Sequence, residues 1–182
     1  MSHLTGKRVA IIATDFFEEP ELTEPRDRLR ESGAEVKVYA SKAEPIQAMK
    51  GDTEPTRKVE VDGTFDDVDL EETDVLVVPG GTVNADRIRM EPKAQDLVRA
   101  FDRAGKPLAL ICHGPWLLVS AGCAAGRRLT SWPSLADDLR NAGATWVDEE
   151  VVVDRNLVTS RKPDDLPAFV GAIERQLTGA SA

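Results

Sequence analysis

Residues 108–115 read Leu-Ala-Leu-Ile-Cys-His-Gly-Pro, and this stretch decides the fold class. Its first four residues form a short apolar run, which is typical of a buried strand in a parallel sheet. The proline at position 115 suits the first turn of a helix. Cys112 is therefore predicted to lie on a sharp turn between a buried strand and a helix, where a nucleophile elbow places its reactive residue.

Apolar runs of strand length recur on both sides of this stretch, and helical patterns lie between several of them. The predicted strands are 8–13, 35–41, 57–61, 74–78, 108–111, 129–132, 145–147, 151–153 and 157–160. The predicted helices are one ending at Glu31 and those at 93–103, 115–121, 133–141 and 163–176. This alternation predicts one α/β domain over residues 1–182, with a mostly parallel sheet covered on both faces. Loose tails are expected over about residues 1–6 and 178–182.

The charge balance argues against several classes of partner. The formal net charge is −9 and the isoelectric point is about 4.8, whereas nucleic acids and anionic membranes select basic surfaces. The longest apolar runs are far shorter than a membrane span. Residues 1–8 contain no apolar signal core, so a cytoplasmic location is expected.

Cysteine and histidine are scarce, with two residues of each. Cys112 begins a predicted helix and Cys123 follows its end, so their Cα atoms should lie beyond the roughly 7 Å limit for a disulfide. Both are predicted to be free thiols. The two histidines, His3 and His113, form no cluster with zinc spacing, so neither a metal nor another cofactor is predicted.

The ends of three predicted strands carry residues suited to chemistry. Strand 8–13 leads to Glu18, strand 74–78 to Gly80-Gly81, and strand 108–111 to Cys112-His113. Ligands of such sheets bind at the carboxyl ends of the strands, where these segments meet. The outward N–H groups of a helix start favour a Cys112 thiolate, but an inert buried thiol fits the same position equally well.

The neighbouring candidates also have two interpretations each. His113 could act as a base toward Cys112, although adjacent side chains usually point apart. Gly80-Gly81 could supply oxyanion N–H groups or form an ordinary turn after a strand. Glu18 could approach the sulfur, but the residues alone favour an acid that stabilises a helix N-terminus.

These segments together resemble the PfpI/ThiJ family, in the class I glutamine amidotransferase-like superfamily. The segments are Phe-Glu-Glu-Pro-Glu-Leu at 17–22, Leu-Val-Val-Pro-Gly-Gly at 76–81 and Ile-Cys-His-Gly-Pro at 111–115. Segments 130–132, 146–148 and 159–161 resemble the PfpI branch, which includes bacterial general stress proteins. The resemblance covers nearly the whole chain and implies a flavodoxin-like three-layer sandwich with a nucleophile elbow at Cys112.

The resemblance also implies roles for individual residues. Glu18 matches a protonated glutamic acid that hydrogen-bonds the cysteine sulfur. The oxyanion site matches the N–H groups around Gly80, Gly81 and His113. Asp86 matches a third acid, usually glutamate, that reaches the histidine from a neighbouring subunit. A site shared between subunits implies a homodimer or a hexamer.

The implied activity is that of a stress-related hydrolase with Cys112 as nucleophile. Its substrate would be a peptide or amide, favoured for this branch, or else a small 2-oxoaldehyde or an early glycation adduct. The alternative is an oxidative-stress sensor or holdase chaperone that uses Cys112 as a redox switch, which would need neither His113 nor Asp86. A binding domain without turnover is the third possibility.

Overall fold

The computed structural model describes residues 2–179 and contains three sheets. The strands are β1 (Arg8–Ile12), β2 (Phe17–Glu18), β3 (Glu35–Ala40), β4 (Ile46–Lys50), β5 (Glu54–Val59), β6 (Gly63–Thr64), β7 (Val75–Val78), β8 (Leu108–Ile111), β9 (Arg128–Leu129), β10 (Thr145–Trp146), β11 (Val151–Asp154) and β12 (Leu157–Ser160). The α-helices are α1 (Glu19–Glu31), α2 (Thr82–Ile88), α3 (Pro92–Arg103), α4 (Trp116–Ala121), α5 (Ala136–Asn141) and α6 (Leu166–Thr178). Single 3₁₀ turns occur at Phe65–Asp67, Pro133–Leu135 and Pro163–Asp165.

The central sheet has seven strands in the order β11-β12-β8-β7-β1-β3-β6. Every neighbouring pair is parallel except β11 and β12, which pair antiparallel at one edge. Strand order reverses between β1 and β7, because the chain first adds strands on one side of β1 and later on the other. Such a reversal leaves a crevice at the carboxyl ends of the strands, where α/β folds bind ligands.

Two apolar clusters lie on opposite faces of this sheet. Alternate residues of β1 divide between them, with Val9 and Ile11 in one and Ala10 and Ile12 in the other. The first cluster includes apolar residues of α1 and α6, and the second includes those of α3, α4 and α5. The helices therefore cover both faces, which confirms the predicted flavodoxin-like three-layer α/β sandwich.

A smaller sheet, β2-β4-β5, lies beside the carboxyl edge of the central one. Strands β4 and β5 form an antiparallel hairpin. The sequence predicted the second arm of this hairpin, but not β2, β4 or helix α2. Gly51 and Asp52, in the turn of the hairpin, both have positive φ, at 59° and 63°. This pair of left-handed residues is typical of a tight hairpin turn.

Three sequence expectations need correction. The tail predicted over residues 1–6 is not loose where the structure describes it, because Leu4 is fully buried and its N–H donates to the Ser32 carbonyl at 2.9 Å. The C-terminal tail was predicted to begin at residue 178, but Thr178 is the last residue of α6. Residues 1 and 180–182 lie outside the described part of the chain. Segment 133–141 is a 3₁₀ turn followed by α5 rather than one helix.

Within residues 2–179, no helix has the length and apolar character needed to cross a membrane.

Candidate active site

Cys112 follows β8 on a strained turn. Its φ is 62°, in the left-handed region that costs a non-glycine residue about 1–3 kcal/mol. Two backbone hydrogen bonds hold the turn: Cys112 N–H donates to the Ser160 carbonyl at 3.0 Å, and Trp132 N–H donates to the Cys112 carbonyl at 2.8 Å. A Cβ at Gly114 would lie 2.9 Å from the carbonyl oxygens of Ile111 and Val78, so only glycine fits there. The strand–cysteine–helix geometry of a nucleophile elbow is therefore present.

The Cys112 side chain lies at the base of a cavity of about 310 Å³ and is only 6% exposed. Titratable side chains and two apolar side chains, those of Trp132 and Pro163, line this cavity. It is lined by Glu18, Glu21, Gly51, Asp52, Gly81, Cys112, His113, Trp132 and Pro163.

Glu21 supplies the carboxyl group that interacts with the Cys112 thiol. It is fully buried, and its Oε2 accepts a hydrogen bond from Gly80 N–H at 2.7 Å. The other oxygen, Oε1, has no nitrogen or oxygen partner among the described residues. Burial raises the pKa of Glu21 from its ordinary 4.5 to about 8, so this carboxyl group holds a proton at neutral pH.

The prediction that Glu18 bonds the sulfur is therefore wrong. Glu18 precedes α1, and its Oε1 accepts a hydrogen bond from Gly51 N–H at 3.1 Å, within the same cavity. The helix begins at Glu19, and its buried face carries Leu22, Pro25 and Leu29. Glu21 occupies that face too, so helical periodicity directs it, rather than Glu18, into the protein.

Cys112 and Glu21 titrate as a coupled pair. Burial, and then the negative charge of an ionised Glu21, raise the pKa of the Cys112 thiol. The N–H groups of Gly81 and His113 act in the opposite direction, because they favour the charged sulfur. Two negative charges side by side in a buried site are strongly unfavourable, so the pair holds one negative charge before it holds two. While Glu21 keeps its proton, its O–H can donate to the sulfur and its charge does not oppose the thiolate.

The predicted oxyanion groups separate into two kinds. The N–H groups of Gly81 and His113 interact with the Cys112 sulfur and are positioned for an oxygen that develops negative charge beside it. The prediction for Gly80 is wrong, because its N–H is already bonded to Glu21. Gly80 instead provides space: a Cβ there would lie 2.6 Å from Glu21 Oε2 and 2.7 Å from Cys112 Cβ.

His113 reaches back to its neighbour despite the expectation that adjacent side chains point apart. Its Nδ1 lies 3.2 Å from Cys112 Sγ. The ring stacks on Trp132 with a centroid separation of 5.8 Å and meets Trp116 edge-on at 5.6 Å. Burial lowers the pKa of His113 from its ordinary 6.5, so the imidazole is neutral at neutral pH and one of its nitrogens is free to accept a proton.

Within one chain, Asp86 and His113 do not meet. Asp86 lies on α2 and lines a different cavity, of about 470 Å³. No hydrogen bond or ion pair joins the two residues in the part of the chain that the structure describes. A carboxylate that sequence reasoning missed, Asp52, is instead linked to His113 through Thr82. The only sequence signal for Asp52 is the Gly-Asp turn of the hairpin.

Phe16 lies just before β2 in a conformation that is unusual for its residue type. Its φ is 69°, so a bulky side chain occupies a backbone conformation that favours glycine. The ring is not among the side chains that line the Cys112 cavity. It lies under the guanidinium group of Arg87, 4.7 Å from the ring centroid, a contact that offsets part of the backbone strain.

Comparison with known proteins assigns the chain to a family. Residues 7–176 match the model of the DJ-1/PfpI family. The deglycase PfpI of Pyrococcus furiosus is 42% identical over 163 residues, covering 90% of this chain and 95% of that protein. General stress protein 18 of Bacillus subtilis is 41% identical over 166 residues, with 90% and 94% coverage. The crystal structure of Drosophila melanogaster DJ-1beta superimposes with a TM-score of 0.86 at 31% identity, over 95% of this chain and 91% of that one. The chain belongs to the DJ-1/PfpI family.

Proposed function

We propose that this protein is a cysteine-dependent deglycase, which removes early adducts of 2-oxoaldehydes from amino groups. One arrangement carries the proposal: the Cys112 sulfur lies between a protonated carboxyl group, a neutral imidazole nitrogen 3.2 Å away and two inward N–H groups. These are the parts that covalent catalysis at a carbonyl-derived carbon needs.

The chemistry balances without an oxidant or a cofactor. In an adduct R–NH–CH(OH)–CO–CH₃, the sulfur forms a C–S bond to the carbinol carbon, the C–N bond breaks, and the amine leaves with the thiol proton. In the resulting hemithioacetal a proton moves from the carbinol carbon to the adjacent carbonyl carbon, and the hydroxyl proton moves to the carbonyl oxygen, which gives a lactoyl thioester on Cys112. Water then cleaves the thioester, which releases lactate and restores the thiol.

Each group in the site has a role in this sequence. The N–H groups of Gly81 and His113 stabilise negative charge on the oxygen attached to the attacked carbon. Glu21, protonated at neutral pH, donates a hydrogen bond to the sulfur. His113 accepts the thiol proton through Nδ1 and passes it to the departing nitrogen.

The size of the cavity favours a small carbonyl adduct over a peptide bond. A volume of about 310 Å³ and a sulfur that is 6% exposed suit a three-carbon fragment attached to a side chain. A peptidase must accommodate extended backbone on both sides of the scissile bond. Peptide hydrolysis is therefore the second candidate, and relatives named deglycase support the first.

The proposal includes a cytoplasmic location and a homo-oligomer, either a dimer or a hexamer, in which Asp86 faces the neighbouring site. The observation behind it is that Asp86 is exposed and lies apart from His113 in one chain. Sedimentation velocity tests the oligomer, because a protein that is monomeric at working concentration cannot share a site between subunits.

A test of the deglycase begins with an adduct formed from ¹³C-labelled methylglyoxal and Nα-acetyl-lysine, with the reaction followed by ¹³C NMR. We expect lactate to form as the adduct disappears. We also expect adduct loss to be faster than its uncatalysed dissociation, measured separately with an excess of an aldehyde scavenger. An enzyme that acts only on free aldehyde cannot exceed that dissociation rate.

Other outcomes point elsewhere. Lactate that forms only at the dissociation rate would assign free 2-oxoaldehyde as the substrate and contradict the deglycase. No lactate from folded, reduced protein would overturn carbonyl chemistry altogether. Hydrolysis of a casein substrate would then support the peptidase, and its absence would leave a redox switch at Cys112.

A further inference from the structure

A continuous set of polar contacts runs from His113 to the hairpin turn. His113 Nε2 lies 3.3 Å from Thr82 Oγ1. Thr82 Oγ1 lies 2.6 Å from Asp52 Oδ2, and Thr82 N–H donates to Asp52 Oδ1 at 2.8 Å. On the other side of the ring, Nδ1 lies 3.2 Å from Cys112 Sγ. Two side chains, those of His113 and Thr82, thus join the reactive sulfur to a carboxylate in the turn of the smaller sheet.

The direction of each hydrogen bond follows from which groups have protons. The Asp52 carboxylate is an acceptor only, so the Thr82 hydroxyl must donate its single proton to Oδ2. The hydroxyl oxygen is then left as an acceptor toward His113. A neutral imidazole carries its proton on one nitrogen, and Nε2 is the nitrogen that faces an acceptor. Nδ1 is left without a proton, directed at the thiol.

We propose that Asp52, acting through Thr82, fixes His113 in the tautomer protonated at Nε2, so that Nδ1 is the base that takes the Cys112 proton. Asp52 and Thr82 are positioning residues, since neither touches the sulfur. The inference deepens the proposed function, on which its catalytic meaning rests. Asp52 is then the acid that orients His113 within one chain. Asp86 could do so only from a neighbouring subunit.

The base and the acid at the sulfur are then different residues. Glu21 is protonated at neutral pH and cannot accept the thiol proton. His113 is neutral and can accept it. When sulfur attacks, its proton moves to Nδ1, and the imidazolium that forms keeps its Nε2–H directed at Thr82, with the Asp52 charge beyond it.

Local structure explains why Asp52 can hold this position. Asp52 has a φ of 63° in the turn between β4 and β5, a conformation that aspartate tolerates better than most residues. Thr82 is the first residue of α2, so its N–H has no partner inside the helix and is available to Asp52. The hairpin and the helix therefore meet at this pair, beside His113.

The direct test is the tautomer of His113, read from long-range ¹H–¹⁵N correlation spectra at a pH where the ring is neutral. A His3→Gln background removes the other histidine. We expect an unprotonated Nδ1 and a protonated Nε2. Asp52→Asn keeps the shape but lets its amide donate to Thr82, whose hydroxyl would then donate to Nε2, so this variant is expected to shift His113 toward the Nδ1–H tautomer.

The second readout is the rate at which iodoacetamide alkylates Cys112, in a Cys123→Ser background at pH 7. Asp52→Asn and Thr82→Val are each expected to slow alkylation by between about tenfold and a hundredfold, because the base is lost. Thr82→Ser keeps the hydroxyl and is expected to react like the parent. A rate that falls equally in Thr82→Ser and Thr82→Val would indicate packing rather than the hydroxyl and overturn the proposal.

Two further results would also overturn it. One is a parent protein with the proton on Nδ1. The other is an Asp52→Asn variant in which the tautomer changes but alkylation does not, since Nδ1 would then not be the base. Neither measurement involves a carbonyl substrate, so a failure of the deglycase assay leaves both readouts valid.

Discussion

The Cys112→Ser variant is expected to form lactate from the methylglyoxal–lysine adduct at least about 10³-fold more slowly than the wild-type protein. A serine hydroxyl in the same place has a far higher pKa than a thiol, so it provides almost no anionic nucleophile. The same N–H groups, acid and base would surround it, which isolates the contribution of the sulfur. The measurement is the initial rate of ¹³C-lactate formation at equal concentrations of folded protein.

Cys123→Ser is the matched control for this variant. Cys123 is half-buried after α4, and its thiol donates a hydrogen bond to the Ala121 carbonyl at 3.7 Å. Its replacement is expected to leave the rate within about twofold, since it removes a thiol outside the cavity. Equal losses in both variants would show that the effect comes from stability, and a fully active Cys112→Ser would remove Cys112 from the chemistry.

The Glu21→Gln variant is expected to gain stability over the wild type as pH rises. In the folded protein burial raises the pKa of Glu21 to about 8, whereas in the unfolded chain it ionises near its ordinary 4.5. Below pH 4.5 both states hold the proton and the wild type suffers no penalty. Between the two values unfolding releases a proton, so wild-type stability falls by about 1.4 kcal/mol per pH unit.

Glutamine has no proton to release, so the difference in unfolding free energy between the variant and the wild type should grow by about 3.5 kcal/mol from pH 5 to pH 8. Urea denaturation followed by tryptophan fluorescence measures it. The series stops at pH 8 because an unfolded thiol begins to ionise near pH 8.5.

The control is Glu31→Gln, an exposed residue at the end of the same helix. Its difference from the wild type is expected to stay constant over this range. A constant difference for Glu21→Gln as well would mean that Glu21 is ionised in the folded protein. The proton donor assigned to the sulfur would then be absent.

Local sequence pattern was enough to predict six of the seven strands of the central sheet, all but the two-residue edge strand β6. Strands β8 and β12 begin and end where the apolar runs do, at Leu108–Ile111 and Leu157–Ser160. Strands buried on both faces need continuous apolar sequence, and the helices that separate them impose a parallel arrangement. The glycine, cysteine and histidine at the strand ends then identified the place of the site.

The choice between neighbouring acids depended on the phase of a helix. Glu18 and Glu21 lie three residues apart, and only the register of Leu22, Pro25 and Leu29 shows that Glu21 shares the buried face. A carboxyl group on the apolar face of a helix indicates a buried acid, and Glu21 has that position in the sequence. With the helix start set at Glu19, the correct acid follows from the sequence.

The link from Asp52 to His113 could not have come from local pattern. Asp52 and Thr82 are thirty residues apart, and the contact depends on how the β4–β5 hairpin packs against the start of α2. Both elements are short, and the sequence predicted neither β4 nor α2. Side chains that meet through long-range packing of short elements leave no periodic trace in the sequence.

The most direct test of the chemistry at Cys112 is to trap its covalent intermediate. Wild-type protein mixed with methylglyoxal–lysine adduct is quenched in acid within the first turnover, digested, and mapped by mass spectrometry. Carbonyl chemistry at this cysteine predicts a lactoyl group on the peptide that carries Cys112, absent from the Cys123 peptide and absent after complete turnover. Lactate formation with no acyl group on Cys112 at any quench time, or with the group on another residue, would contradict it.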